Sequence, residues 1–227
     1  MIISIQEVFT QSEVAQILAL MEEAEWVDGK VTAGAQATGV KQNQQLAENS
    51  PLSRQLGERI FQALSQHPVF ISAALPLKIY PPMFNRYRQG ETYGLHVDNA
   101  MRVVPGTLTR VRTDLSATLF LSEPASYEGG ELCIEDHYGT HSIRLDAGDM
   151  ILYPSTSRHQ VMPVTSGARI CSFFWIQSMV RNNDQREMLF DLDQSVQSLT
   201  QQHGYQHADV IRLSGLYQNL IRQWADT

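Results

Sequence analysis

A mainly β fold, a jelly roll or barrel-like sandwich flanked by α-helices at both ends, is what this 227-residue sequence predicts. Two observations carry it. Between about residue 70 and about residue 178 the chain breaks into short runs rich in β-branched and aromatic residues: "FNRYR", "YGLHVD", "LSATLFLS", "GELCIED", "HSIRLD", "MILYPS", "HQVMPV" and "RICSFFWIQ". Clusters of Gly, Pro, Asn and Asp separate them. On either side of this region apolar residues recur every three or four positions, the period of a helix.

The first helix is expected from Val14, Ile17, Leu18 and Met21, with Ser12 as its cap. A second has Ser50 as cap, Pro51 at its first position and Pro68 as its stop, so that it ends near His67. After residue 180 helical spacing returns, and Leu213, Leu216, Tyr217, Leu220, Ile221 and Trp224 form an apolar stripe suited to core packing or to contact with a second copy of the chain. The division follows: an N-terminal helical and β support region over 1–77, a β core over 78–178 and a C-terminal helical extension over 179–227.

Composition excludes several function classes. A net charge of −7 opposes broad electrostatic attraction to nucleic acid or to anionic membranes. No apolar run approaches the length of a membrane span, and the N-terminus lacks a signal-peptide pattern, so a cytoplasmic location is expected. Cys133 and Cys171 lie in strand-like stretches and read as buried, reduced thiols. Arg86, Arg88, Arg102, Arg110 and Arg112 read as a solvated rim of loops.

The chemistry centres on His96 and Asp98 in "YGLHVD". Side chains two apart share one face of a strand but diverge on a helix. His207 and Asp209 repeat the spacing at the start of a helical run, where convergence fails, and they read as a solvated helix start. A third ligand is supplied best by His159, which follows the turn Gly148–Asp149 and a buried strand; His67 closes a helix, and His137 and His141 flank Gly139 in a hairpin loop. Two imidazoles and a carboxylate on one face of an octahedral iron leave three exchangeable positions, the arrangement oxygen activation needs. With zinc or manganese the same residues would suit a hydrolase or isomerase. Such an enzyme needs a general base, and Glu91 and Glu131 are available without being placed by spacing. Arg169, ten positions after His159, heads "RICSFFWIQ"; it is either a bidentate anchor for a carboxylate or an exposed strand end. Gly129 and Gly130 read as a tight turn or bulge, and Trp175 as cavity wall or ordinary core.

Three stretches, "FNRYRQGETYGLHVDNAM", "RTDLSATLFLSEPASYEGGELCIED" and "LDAGDMILYPSTSRHQVMPVTSGARICSFFWIQSM", together resemble the iron(II)- and 2-oxoglutarate-dependent dioxygenases, and within them the bacterial PKHD-type hydroxylase group, relatives of prolyl 4-hydroxylases. The resemblance implies a double-stranded β-helix over about residues 78 to 178. It also implies Fe(2+) held by His96, Asp98 and His159, with 2-oxoglutarate and O2 as co-substrates, Arg169 on the distal carboxylate, and L-ascorbate keeping the iron reduced. Some relatives have a tyrosine near the position of Phe120 to assist that carboxylate; Tyr87 and Thr118 are the candidates for the role here. The implied reaction hydroxylates a substrate, a prolyl or lysyl residue of a protein or peptide or a small molecule, with release of succinate and CO2. A non-catalytic module binding 2-oxoglutarate or metal is the alternative outside enzymology. The loops around residues 30–45 and 99–112 would select the substrate.

Overall fold

The computed structural model describes residues 1–32, 39–48 and 50–226. In chain order its strands are β1 (Ile3–Ile5), β2 (Trp26–Asp28), β3 (Lys41–Gln42), β4 (Gln44–Leu46), β5 (Pro76–Ile79), β6 (Met83–Arg88), β7 (Thr92–His96) and β8 (Met101–Val103). They continue as β9 (Arg110–Arg112), β10 (Leu115–Phe120), β11 (Tyr127–Gly129), β12 (Leu132–Asp136), β13 (Gly139–Ile143), β14 (Met150–Pro154), β15 (Arg158–Val161) and β16 (Val164–Ser178). The helices are α1 (Gln11–Glu22), α2 (Pro51–Ser65), α3 (Pro68–Ala74), α4 (Asn183–His203) and α5 (Ala208–Trp224). All eight runs expected to be extended form strands; the strands that sequence reading missed are mostly two to four residues long, too short to show a period.

Two sheets face each other. The larger runs β1-β14-β10-β16-β6-β4-β2, with β5 and β11 also pairing β16, and the smaller runs β13-β12-β15-β7-β3. This is a jelly roll, and its N-terminal strands are woven into both sheets: β1 pairs β14, β4 pairs β6 and β3 pairs β7. Strand alternation then sorts the side chains of the larger sheet. On β10 and β14, Leu115, Ala117, Leu119, Met150 and Leu152 pack outward beneath α1 and α2 against Val14, Ile17, Met21, Leu56 and Ile60. Phe120, Ile151, Tyr153 and Cys171 point inward, toward Leu132, Ile134 and Val161 of the smaller sheet. Because both faces of the larger sheet are covered, its strands read as nearly continuous apolar runs.

The helix ends differ from expectation in two places. Thr10, not Ser12, caps α1: its backbone is extended, its hydroxyl accepts from Glu13 N at 3.4 Å, and Glu13 accepts from Thr10 N at 2.8 Å. That reciprocal pairing satisfies two free amides, and Ser12 has no glutamate three positions on. Pro68 does not merely stop α2 but opens α3, where its missing N–H costs nothing, while His67 Nδ1 accepts from Phe70 N at 3.4 Å. Ser50 caps α2 as expected. The C-terminal stripe is largely used within the chain, since Tyr217, Leu220, Ile221 and Trp224 pack around Leu75, Val180 and Leu189, leaving Leu216 exposed. Cys171 is buried and Cys133 only half-buried; both are free thiols. Among the described residues no helix is long and apolar enough to cross a membrane.

Gly129 and Gly130 make a bulge where β11 meets β16, with φ of 69° and 68° and a register shift after Glu128. A Cβ on Gly129 would strike the Pro163 carbonyl oxygen, whereas one on Gly90, at φ 83°, would meet open space. Gly129→Ala should therefore lower stability by at least ~2 kcal/mol and Gly90→Ala by about 1 kcal/mol, read by denaturant melts.

Candidate active site

His96 and His159 are opposed partners in the antiparallel pair β7–β15, which brings their ring centroids to 4.2 Å. Asp98 lies just beyond the end of β7, and its Oδ2 is 3.7 Å from His159 Nε2. One donor atom from each of the three falls within 4.8 Å of the others. Both histidines turn the same nitrogen away from this point: Nδ1 of His96 donates to the Gly94 carbonyl at 2.7 Å, and Nδ1 of His159 donates to the Ser157 carbonyl at 3.1 Å. Each Nε2 is thereby left with its lone pair free for a cation. Burial, and then the neighbouring His159 ring, holds the His96 pKa down at about 4, so its imidazole is neutral at physiological pH, the form that binds metal. Ser116 Oγ donates to Asp98 Oδ2 at 2.6 Å and contacts Ser155 Oγ at 2.7 Å, fixing the carboxylate from the larger sheet.

The triad opens into a cavity between the sheets, lined on the larger sheet by Tyr87, Ser116, Thr118, Tyr153, Arg169 and Trp175. Arg169 is 1% exposed. Its Cζ lies 5.1 Å from the Phe120 ring centroid and 5.5 Å from that of Tyr87, and its Nε and Nη2 have no hydrogen-bond partner. Burial works against its charge, yet the surrounding Cys171, Tyr87, Tyr127 and Tyr153 raise its pKa overall. Burial pushes the pKa of Cys171 up, and those of Tyr87 and Tyr153 well up, so these groups are uncharged at neutral pH and none balances the guanidinium. A buried cation left unpaired costs several kcal/mol unless something enters to pair with it, and a carboxylate supplies both the charge and the acceptors. Arg169 is thus no exposed strand end.

The residues of this cavity therefore fit a divalent metal beside a bound carboxylate. They do not fit a hydrolase: Glu91 accepts from Arg88 N at 2.7 Å, Glu131 pairs with Arg144 at 3.5 Å, and neither lines the cavity. His207 caps α5, accepting from Asp209 N at 3.3 Å, as a helix start should. His141 stands on β13 and contacts Asp136 Oδ2 at 2.7 Å, outside the cavity.

Residues 82–177 match the 2OG-Fe(II) oxygenase superfamily, and residues 183–226 match the PKHD-type hydroxylase C-terminal domain. A PKHD-type hydroxylase of Burkholderia lata is 55% identical over 226 residues, covering 100% of both chains. This chain belongs to the PKHD-type hydroxylases. A second member of that family, from Bordetella pertussis, is 56% identical over 226 residues, again with 100% of each chain covered. Among solved structures, a Pseudomonas putida prolyl-4-hydroxylase superposes with a TM-score of 0.53 at 18% identity, over 78% of this chain and 92% of that one. A prolyl hydroxylase from Trichoplax adhaerens gives 0.55 at 13% identity, over 83% and 86%. At those identities the likeness carries the fold, a jelly roll. As a PKHD-type hydroxylase the protein is a dioxygenase of a family whose cofactors are iron(II) and 2-oxoglutarate.

The sequence of this hydroxylase points to His96, Asp98, His159, Arg169, Tyr87 and Thr118, and all six line one cavity. It does not single out Tyr93, whose ring stacks on His96 at 3.7 Å and 18°, nor Ser116 and Tyr153. Only the period of two on β7, β10 and β14 could have pointed to them. The arginine rim is partly wrong. Arg86 forks onto Gln44 Oε1 at 3.0 and 2.6 Å, Arg112 pairs with Asp114 at 2.7 Å, and Arg102 lines the cavity. Of the loop 30–45, residues 33–38 lie outside the described residues.

Ser116→Ala should weaken iron(II) binding about tenfold while leaving the melting temperature nearly unchanged, because the hydroxyl orients a ligand and supports little else. Titration of metal-free protein with iron(II) under argon checks this.

Proposed function

We propose that this PKHD-type hydroxylase uses His96, Asp98 and His159 as its iron(II) ligands and Arg169 as the anchor for the distal carboxylate of 2-oxoglutarate. It hydroxylates a substrate C–H bond and releases succinate and CO2. The observation that carries the reading is the buried, unneutralised Arg169, which lines the same cavity as the triad from the facing sheet. When bound, the iron with 2-oxoglutarate and O2 supplies the oxidising power for an unactivated C–H bond. The chain's own residues bind and orient. The two Nδ1–H···O=C bonds present each Nε2, Ser116 holds Asp98, and Tyr93 walls off His96. The phenyl ring of Phe120 and the phenol ring of Tyr87 both lie against the Arg169 guanidinium. Phe120 has no hydroxyl to help Arg169. Tyr127 is suited to replace it, since its hydroxyl is buried without a partner and its ring and the Arg169 stem both border Gly130. Tyr87 and Thr118, which line the cavity, are the alternatives.

L-ascorbate as reductant, a cytoplasmic setting and pairing of two copies through the C-terminal helices belong to the same proposal, as does a protein, peptide or small-molecule substrate. Anaerobic addition of iron(II) and 2-oxoglutarate should give a weak visible charge-transfer band, and admission of air should then yield succinate. Absence of both the band and succinate would sink the dioxygenase mechanism in favour of a binding module.

A further inference from the structure

Two cations besides Arg169 line the cavity, and both approach the triad from the side of β3 and β8. Lys41 is the cross-strand partner of Tyr93, is 3% exposed, and places Nζ 5.2 Å from the Tyr93 ring centroid and 5.7 Å from that of Phe173. Since Tyr93 stacks on His96, the ammonium stands one ring away from the triad. Arg102, on β8, sets its Cζ 4.3 Å from the Trp175 ring centroid and 4.9 Å from that of Tyr80. Trp175 is in turn edge-on to Phe173 at 5.7 Å, so one aromatic wall carries both cations. Lys41, Arg102, Phe173 and Trp175 all line the cavity that holds the triad.

These cations are near enough to feel each other's charge. Burial and then the charge of Arg102 lower the Lys41 pKa to about 8, against smaller opposing effects of Asp98 and Asp28. Asp98 is committed to the triad, and Glu48 accepts the Tyr80 hydroxyl at 2.5 Å. Arg102 Nε is buried with no hydrogen-bond partner, although two aromatic rings fix the guanidinium. A cavity that assembles two cations and leaves a donor open is complementary to an anion, and the flat faces of Phe173 and Trp175 suit the carbon skeleton attached to it. Arg169 is not available for this purpose, being the anchor of 2-oxoglutarate on the hydroxylase reading.

Resting on that reading, we propose that Lys41 and Arg102 bind an anionic oxygen group of the primary substrate, a carboxylate or a phosphate, and so make this hydroxylase selective for acids. Neutral amides and basic compounds are then poor substrates, and the charge on the substrate places its skeleton over the triad.

The test uses the full chain loaded with iron(II) and saturating 2-oxoglutarate under argon, which fills Arg169 and lets the charge-transfer band report binding. Matched probes are titrated: N-acetyl-L-glutamate against N-acetyl-L-glutamine, the peptide acetyl-Ala-Glu-Ala-amide against its Gln form, and N-acetyl-O-phospho-L-serine against N-acetyl-L-serine. Affinity is read by saturation-transfer NMR and by perturbation of the band. At least one acid should bind about tenfold or more tightly than its neutral twin, and which pair responds separates carboxylate from phosphate and free acid from peptide. Arg102→Gln and Lys41→Met should each shrink that ratio toward one, Arg102→Lys should keep part of it, and Arg110→Gln, an exposed residue at the start of β9, should leave it intact. Equal affinity within every pair, no binding by any probe, or an undiminished ratio in both Arg102→Gln and Lys41→Met overturns the proposal. A missing band in the parent protein instead overturns the hydroxylase reading, so the two failures are distinguishable; the comparison on the parent protein holds even where a variant fails to fold.

Discussion

Arg169→Met is expected to raise the 2-oxoglutarate requirement roughly 100-fold or more while leaving the metal-free, co-substrate-free protein as stable as the parent or more so. The two effects have one cause. Without 2-oxoglutarate the guanidinium is a fully buried charge with Nε and Nη2 unpartnered, so an apolar chain of similar length removes a desolvation penalty. With 2-oxoglutarate present, the same substitution leaves a buried carboxylate unpaired, and breaking such a pair costs about 3–5 kcal/mol. Iron(II) binding should change far less, because His96, Asp98 and His159 take no support from Arg169 among the contacts described. Thermal melts with and without 2-oxoglutarate, set beside an iron titration, read all three quantities. Equal loss of iron and 2-oxoglutarate binding, or a large fall in the stability of the unliganded protein, would mark Arg169 as structural.

His96→Ala and Asp98→Ala should each abolish turnover and weaken iron(II) binding by more than the roughly 10- to 100-fold typical of losing an outer-shell partner. The fold should persist, since neither side chain belongs to the apolar clusters that join the sheets and helices. His207→Ala is the control for the same sequence spacing, and it should leave turnover intact while fraying the start of α5. Succinate release, iron binding under argon and circular dichroism together decide the matter. Loss of turnover in His207→Ala, with retention in His96→Ala, would mean that the wrong pair had been assigned.

How far the site was legible in the sequence differs residue by residue. His96 and Asp98 could be preferred over His207 and Asp209 because period two aligns side chains on a strand and not on a helix, and the structure has β7 at the one and the cap of α5 at the other. Arg169 could be noticed, but two meanings stayed open, since an arginine at the head of an apolar strand looks the same whether its end is solvated or buried. Ser116, Tyr93 and Tyr153 carry no signal beyond the period of two on their strands, because serine and tyrosine in β runs are ordinary. Arg102 was misplaced with the rim because hairpin arginines usually face water, and the aromatic pair that holds it, Trp175 and Tyr80, is 73 and 22 positions away in the chain.

The sequence by itself determined the elements and the chemistry on offer: eight extended runs, a capped α2, a His-x-Asp at the end of a strand, and a third histidine after a glycine turn. Those are local properties, set by side-chain period, by caps and by the few backbone shapes that glycine and proline favour. Tertiary structure alone decided which of them meet. The pairing of β7 with β15 brings His159 to His96, the pairing of β10 with β14 and β16 aims Ser116, Tyr153 and Arg169 into one cavity, and β3 delivers Lys41 from far upstream. Register between distant strands depends on burying both sheet faces at once. That requirement belongs to the whole chain and leaves no mark on any one stretch of it.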